Sequence, residues 1–495
     1  MVIGLNKKVI LMKPANYPSS PEKLWDIFHD FTQTPRPSKK EEKIVNYLTG
    51  IAKERSLNYV VDKAGNVIIY VPGKNGREND PSVIIQNHID MVTDALHNVE
   101  IDFYSDPIST KVEGDWLRAI GTTLGADNGI GCAAALATIF EDDLIHPPLE
   151  LLFTVDEETG LNGALGLDES LLKSKKMLNL DTEEWGSLYI GCAGGIDYEL
   201  TKDIELVSPK LRHQKIKIQI DNFIGGHSGL DIHEQRGNAL KFLGEYLDLL
   251  RQKIDFELAE IRGGKAHNII PRDCFSIINT SNVSLDSFKE LASALSNEWK
   301  SYLPSDDHNF RVCFEIIEMT DSKVLSRIDK DNMIDYLNLF PHGAHRYDVE
   351  VNELVSMSNN FARFLLVNGK VYTQSSLRFF DRNEVKALEK RIQLLGKNFK
   401  MNVSKQSEYP SWRPTLKNPI LDLVKDTYYE LFNEDAKVTA IHAGLECGII
   451  RDKIGEIDVL SFGPTITGAH SPDERVNIPS VEKFWILYKS VLTKI

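Results

Sequence analysis

The stretch SVIIQNHIDMVTD, residues 82–94, runs an apolar segment straight into His88 and Asp90. Val83, Ile84 and Ile85 are consecutive β-branched residues, the composition of a strand buried on both faces. Such a strand, ending on an imidazole and a carboxylate, places both at its carboxyl edge, where open α/β sheets present ligands. The pattern recurs. LELLFTVDEETG (149–160) ends in Glu157 and Glu158, and KMLNLDTEE (176–184) reaches Asp181. TLGADNGIGCAAALATIFE (123–141) passes from a glycine-containing turn with Asp127 into an Ala-rich helix.

Working outward, SPEKLWDIFHDFT (20–32) and SKKEEKIVNYLTGIAKER (38–55) have apolar residues at helical spacing, and NYVVD and NVIIYV read as strands. Strands alternating with helices predict an α/β fold with a mostly parallel sheet flanked by helices. The middle third changes character. KIKIQI, RGNALKFLGEYLDLLRQ, FELAEI, CFSIINT, SLDSFKELASALSNEW and FRVCFEII give strand, helix, two strands, helix, strand. A similar succession follows: the helix DNMIDYLNLF, strands near 353–358, 361–367 and 370–379, the helix NEVKALEKRIQLLG and the strand MNVSKQSE. This predicts an inserted α+β domain built from a doubled unit, with one larger mixed domain as the alternative. From 409 the first style returns, in NPILDLVKDTYYELF, DVLSFGP and SVEKFWILYKSVL. The expected division is therefore one domain over 1–205 and 409–495, interrupted by a second over 206–408.

At 495 residues the chain is too long for one ordinary core. With 42% hydrophobic and 26% charged residues it is globular, and a net charge of −15 excludes a general nucleic-acid binder. No apolar run approaches the length of a membrane span, and no leader pattern is read in the opening residues, taken as an extension with little structural role. The five scattered cysteines contain no CxxC pair, consistent with reduced thiols in the cytoplasm. There is no P-loop, no dinucleotide fingerprint, and no nucleophile elbow around Ser228.

Each acid or histidine alone has an ordinary reading: a hydrogen-bonded strand end, a helix cap, a solvated pair. Their shared placement after apolar strands distinguishes them. His88, Asp127, Glu158, Asp181 and His470 in GAHSPDE (468–474) supply two imidazoles and three carboxylates, a donor set for two divalent ions with one shared carboxylate.

HIDMV (88–92), GADNGIG (125–131), DEETG (156–160), NLDTEE (179–184) and GAHSPDE resemble, in order and spacing, successive signatures of the aminoacylase/carnosinase family of cocatalytic zinc peptidases. NHIDMV, GADNGIG and HAGLECG (442–448) are similar to its aminoacyl-histidine dipeptidase branch. The resemblance spans essentially the whole chain, and implies that 1–205 with 409–495 is the catalytic domain and 206–408 a lid domain. It implies His88 and Asp181 on one metal, Glu158 and His470 on the other, and Asp127 bridging. It implies Asp90 as the orienting partner of His88 and Glu157 as general base. His227 in IGGHSG corresponds to an oxyanion donor, Asn268 in AHNIIP to a substrate contact, and Arg378 in SSLRFF to a carboxylate-binding arginine. His442 and Glu446 either lie near the substrate's amino group or simply belong to a glycine-flanked turn. The expected ions are two zincs, with Mn²⁺ or Co²⁺ able to serve. The expected substrate is a small dipeptide ending in His; a broad-specificity dipeptidase or N-acyl amino acid deacylase is the alternative. No nucleic acid or membrane is expected as partner, and a homodimer is possible but not required for chemistry.

Overall fold

The computed structural model describes residues 12–211, 214–318, 323–351 and 353–495. Residues 1–11 of the expected N-terminal extension lie outside the described residues. The chain forms two compact units: residues up to Gly191 with Pro414–Ala440 and Leu445–Ile495, and Cys192–Arg413 with Ile441–Gly444.

The first unit is built on an eight-stranded sheet. Its centre is parallel, as the uninterrupted apolar runs require. Val83–His88 lies between Leu149–Thr154 and Lys176–Asn179, and Asp458–Ser461 adds outside the latter. Every residue of Val83–His88 and Leu149–Thr154 is buried, the condition under which alternation disappears from the sequence. Asn58–Val61 and Val67–Val71 extend one side in antiparallel fashion, with Ser187–Cys192 and Lys437–Ile441 on the other. The register sets His88 opposite Thr154 and Gln86 opposite Asn179. His88, Glu157, Glu158 and Asp181 therefore all emerge from one edge.

Helix Glu22–Thr32 buries Leu24, Trp25, Ile27, Phe28 and Phe31 on its inner face, each such side chain stabilising by about 1.5–3 kcal/mol. Helix Ala126–Ala137 is buried along its whole length, and its alanines and glycines allow that. A Cβ at Gly131 would lie 2.3 Å from Asn87 Oδ1 and 2.4 Å from the Leu180 carbonyl. This glycine thus lets the helix approach the residues preceding His88 and Asp181. A four-stranded sheet, in the order Ile466–Thr467, Arg475–Asn477, Trp116–Ala119, Thr110–Glu113, sets the loop 468–474 against the turn leading to Asp127.

In the second unit a nine-stranded sheet contains the βαββαβ pattern twice. One copy comprises Gln214–Asp221, helix Ala239–Lys253, Phe256–Gly263, Cys274–Thr280, helix Leu285–Lys300 and Arg311–Ile317. The other comprises Gly194–Asp203, helix Arg327–Leu339, Val355–Val367, Lys370–Phe379, helix Arg382–Phe399 and Asn402–Tyr409. In both, the spatial strand order is fourth, first, third, second, and the second strands pair antiparallel through Ile261 with Leu366 and Gly263 with Phe364. The second copy is split: its first strand precedes the entire first copy. That strand, Gly194–Asp203, falls in the stretch expected to close the first catalytic segment, yet it pairs with Lys370–Phe379 and Asn402–Tyr409. The two strands expected at 353–358 and 361–367 are one long strand with a bulge between Phe361 and Arg363.

Candidate functional site

The first unit gathers His88, Asp127 and Asp181 into one triad and Asp127, Glu158 and His470 into another, donor atoms within each lying within 4.8 Å. Asp127 belongs to both. His88 Nε2 lies 3.1 Å from Asp127 Oδ1 and 3.3 Å from Asp181 Oδ1. His470 Nε2 lies 3.2 Å from Asp127 Oδ2 and 3.0 Å from Glu158 Oε2. Donors about 2.0–2.2 Å from a tetrahedral ion stand roughly 3.3–3.6 Å apart, so a few tenths of an ångström of outward movement from the 3.0–3.3 Å separations seen here would admit a cation in each triad. Buried Glu158 Oε1 has no protein partner, a second observation in favour of the fit.

Charge argues the same way. Burial by itself would lower the His88 pKa, yet Asp181, Asp127 and Asp90 raise it well above 6.5. Hydrogen bonds to Asp127 and Glu158 raise His470 to about 11. Burial raises Asp181 to about 6, while for Asp127 the two imidazoles overcome burial and lower it. The imidazoles are drawn to hold protons where positive charge is wanted.

Asp90 is fully buried and ties the edge together. Its Oδ1 stands 3.4 Å from His88 Nδ1 and accepts from the Glu157 amide at 3.0 Å. Its Oδ2 accepts from the Glu158 amide at 3.2 Å and from Ser38 Oγ at 2.7 Å. One carboxylate thus orients an imidazole and fixes the backbone of both glutamates. Glu157 shares a cluster with His88 and Glu158, and burial raises its carboxyl well above the ordinary range, the direction a group that must accept and return a proton needs.

Glu446 is fully enclosed. Its Oε2 accepts from Gln86 Nε2 at 2.6 Å and Thr154 Oγ1 at 2.5 Å, and burial raises its pKa to about 8.

His227, Asn268 and Arg378 belong to the second unit. A two-residue ribbon pairs His227 with Ile269, and the Ser228 amide donates to the Asn268 carbonyl at 2.8 Å, so His227 and Asn268 are neighbours. His227 Nδ1 accepts from the Leu230 amide at 3.1 Å, which leaves the neutral ring's proton on Nε2. Arg378, 6% exposed, donates from Nη1 to Tyr409 Oη at 3.2 Å. A Cβ on Gly229 would meet both His227 and Arg378 at 3.1–3.2 Å and the His442 carbonyl at 2.5 Å. His442 stands 2.8 Å from Ser358 Oγ; burial first, then Arg378, His227 and His233, lowers its pKa to about 3. The group is one that attracts an anion.

Two further contributors to the geometry around Asp90 and Asp127 were not among the residues the sequence singled out. Arg36, in the Pro-flanked stretch TPRPS, donates to the carbonyls of Ile89 at 2.9 Å, Asp90 at 2.8 Å and Gly125. Glu474 accepts from four consecutive amides, those of Leu124, Gly125, Ala126 and Asp127.

Residues 84–494 match the model of peptidase family M20/M25/M40, and the chain belongs to that family of peptide-bond hydrolases. It is 36% identical over 476 residues to the cytosol non-specific dipeptidase of Escherichia coli (strain K12), covering 96% of this chain and 98% of the relative. The aminoacylhistidine dipeptidase structure from Vibrio alginolyticus superposes with a TM-score of 0.85 at 36% identity, over 96% of this chain and 97% of that one. Human carnosine dipeptidase 1, at 12% identity and a TM-score of 0.53 over 95% of each chain, shares the fold.

Proposed function

We propose that the protein is a di-metal dipeptidase of the cytoplasm that hydrolyses Xaa-His dipeptides of the carnosine type. The observation that carries this reading is Asp127, whose two oxygens face different triads. His88 and Asp181 would hold one cation, Glu158 and His470 the other, with Asp127 common to both; zinc suits the mixed donors, and Mn²⁺ or Co²⁺ could replace it. Bound cations supply polarisation of the scissile carbonyl and a lowered pKa for the attacking water.

The chain's own groups do the rest. Glu157 takes the proton from the attacking water and delivers it to the leaving nitrogen, typically worth about 10²–10⁴-fold. Asp90 holds Glu157 and His88 in register. His227, with its proton on Nε2, is assigned to the developing oxyanion. Arg378 is assigned to the substrate's terminal carboxylate and Asn268 to a contact beside the scissile amide. Glu446, buried and held by Gln86 and Thr154, is assigned a place near the substrate's amino group. A homodimer is possible and is assigned no part in the chemistry. Among the described residues no helix is long and apolar enough to cross a membrane.

The two relatives of 36% identity bear names that differ in breadth, one non-specific and one specific for aminoacyl-histidine. A panel of Xaa-His dipeptides, other dipeptides and N-acetyl amino acids separates the alternatives. Xaa-His hydrolysis that is lost on chelation and restored by Zn²⁺ supports the proposal. Equal turnover of all dipeptides broadens it to a non-specific dipeptidase, and faster cleavage of acetylated amino acids replaces it with a deacylase.

A further inference from the structure

Asp127 and His470 reach the cluster from segments far apart in the chain, and something must fix their separation. His470 sits on a turn with left-handed backbone (φ 62°), and Asp127 follows Gly125 (φ 70°) at the mouth of a helix. Neither element is held by a long sheet. Glu474 joins them. Its Oε2 accepts from the amides of Leu124 at 2.7 Å and Gly125 at 2.9 Å, and its Oε1 from those of Ala126 at 2.7 Å and Asp127 at 3.2 Å. The Glu474 amide donates to the carbonyl of Ser471, beside His470, at 3.0 Å. Together with the His470–Asp127 contact at 3.2 Å, these bonds close a ring from one candidate ligand to the other through Glu474.

The opposite side of the same loop is held by Arg36, which bonds the Gly125 carbonyl and the carbonyls of Ile89 and Asp90. The fit is close: a Cβ at Gly125 would stand 2.4 Å from Arg36 Nη2. Both charged side chains are 2% exposed. A buried carboxylate with four amide donors is a fully satisfied charge, and such a group tolerates no shift of the loop it grips.

We infer that Glu474, braced by Arg36, is a positioning residue that sets the spacing between Asp127 and His470 and thereby the affinity for the cation shared by Asp127, Glu158 and His470. The inference rests on the di-metal reading above. Glu474 touches no reacting atom. Partners that orient metal ligands typically contribute about 10–100-fold in affinity, and that is the loss expected when the grip is halved. Glu474→Gln keeps the shape but turns an NH₂ toward two of the four amides. Glu474→Asp keeps the charge but is one methylene too short to span all four.

The test is a Co²⁺ titration of the metal-free wild type, E474Q and E474D, read by visible absorption. Wild type should bind two ions per chain. Each variant should keep the first ion and bind the second about 10–100-fold more weakly, E474D less impaired than E474Q, with activity recovering at high Co²⁺. Wild-type isotherms in both variants would overturn the inference while leaving the metal site standing; a wild type that binds no Co²⁺ would instead sink the di-metal reading. Should E474Q fail to fold, E474D decides by the same criterion. Amide exchange of residues 124–127 in the metal-free wild type needs no variant: protection supports the grip, and exchange at open-loop rates overturns it.

Discussion

Asp90→Asn would loosen the carboxylate's hold on both glutamates and on His88. The carboxylate uses Oδ1 for the Glu157 amide and His88 Nδ1, and Oδ2 for the Glu158 amide and Ser38. An asparagine has one acceptor oxygen. If that oxygen takes the Oδ1 position, its NH₂ confronts the Glu158 N–H; if it takes the Oδ2 position, its NH₂ confronts the Glu157 N–H. Ser38 can rotate to accept, but an amide N–H cannot. In either orientation at least one hydrogen bond to a charged group is lost, worth about 1.5–3 kcal/mol. At ~1.4 kcal/mol per tenfold this is roughly 10–150-fold, in line with the about 10–100-fold found for partners of metal-bound histidines. The loss divides between Zn²⁺ affinity, through His88, and turnover, through displaced Glu157. Competition against a chelator gives the first and kcat/KM at saturating Zn²⁺ the second. A D90N protein within about threefold of wild type in both would refute the claim that this carboxylate organises the sheet edge.

Glu157→Gln should lower kcat by about 10²–10⁴-fold while two metal ions remain bound; unchanged kcat removes Glu157 as the base. Gly131→Ala should cost about 1–3 kcal/mol or more from overpacking against Asn87 and Leu180, read as a lowered urea midpoint; an unchanged midpoint contradicts the close approach. His342 should make the protein sensitive to acid. Burial first, then Lys241 and His345, lowers its pKa from 6.5 to about 3, so the folded state holds the ring neutral. Its stabilising share is complete above pH 6.5 and is lost as pH falls toward 3, at up to about 1.4 kcal/mol per pH unit. Urea midpoints of wild type and His342→Gln from pH 7 to 4.5 should therefore converge as the pH drops, and parallel curves would contradict it.

The sheet edge was legible because burial on both faces leaves a plain mark: Val83–Ile85 and Leu149–Phe153 are apolar without alternation, and the first polar residues after them stand out. The order of the motifs then carried the family. What escaped depends on pairing rather than pattern. Gly194–Asp203 reads as an ordinary strand after Asp181, and only its neighbours place it in the second sheet. Val355–Val367 reads as two strands because Asn359 and Asn360, of a residue type depleted in strands, interrupt it, yet the ladder pairs them with Leu377 and Ser376 without a break. Arg36 and Glu474 sit among prolines and acids typical of loops, and their importance lies in backbone groups from residues more than fifty positions away. Backbone donors and acceptors are the same at every residue, so no sequence spells out such contacts. Glu446 belongs to the same class, its enclosure by Gln86 and Thr154 being a product of strand packing.

The sharing of Asp127 between two cations can be seen by anomalous diffraction from crystals equilibrated with Zn²⁺. Two peaks per chain are expected, one contacting His88, Asp127 and Asp181 and the other Asp127, Glu158 and His470. A single peak, peaks away from Asp127, or full peptide hydrolysis by protein stripped of metal would contradict it.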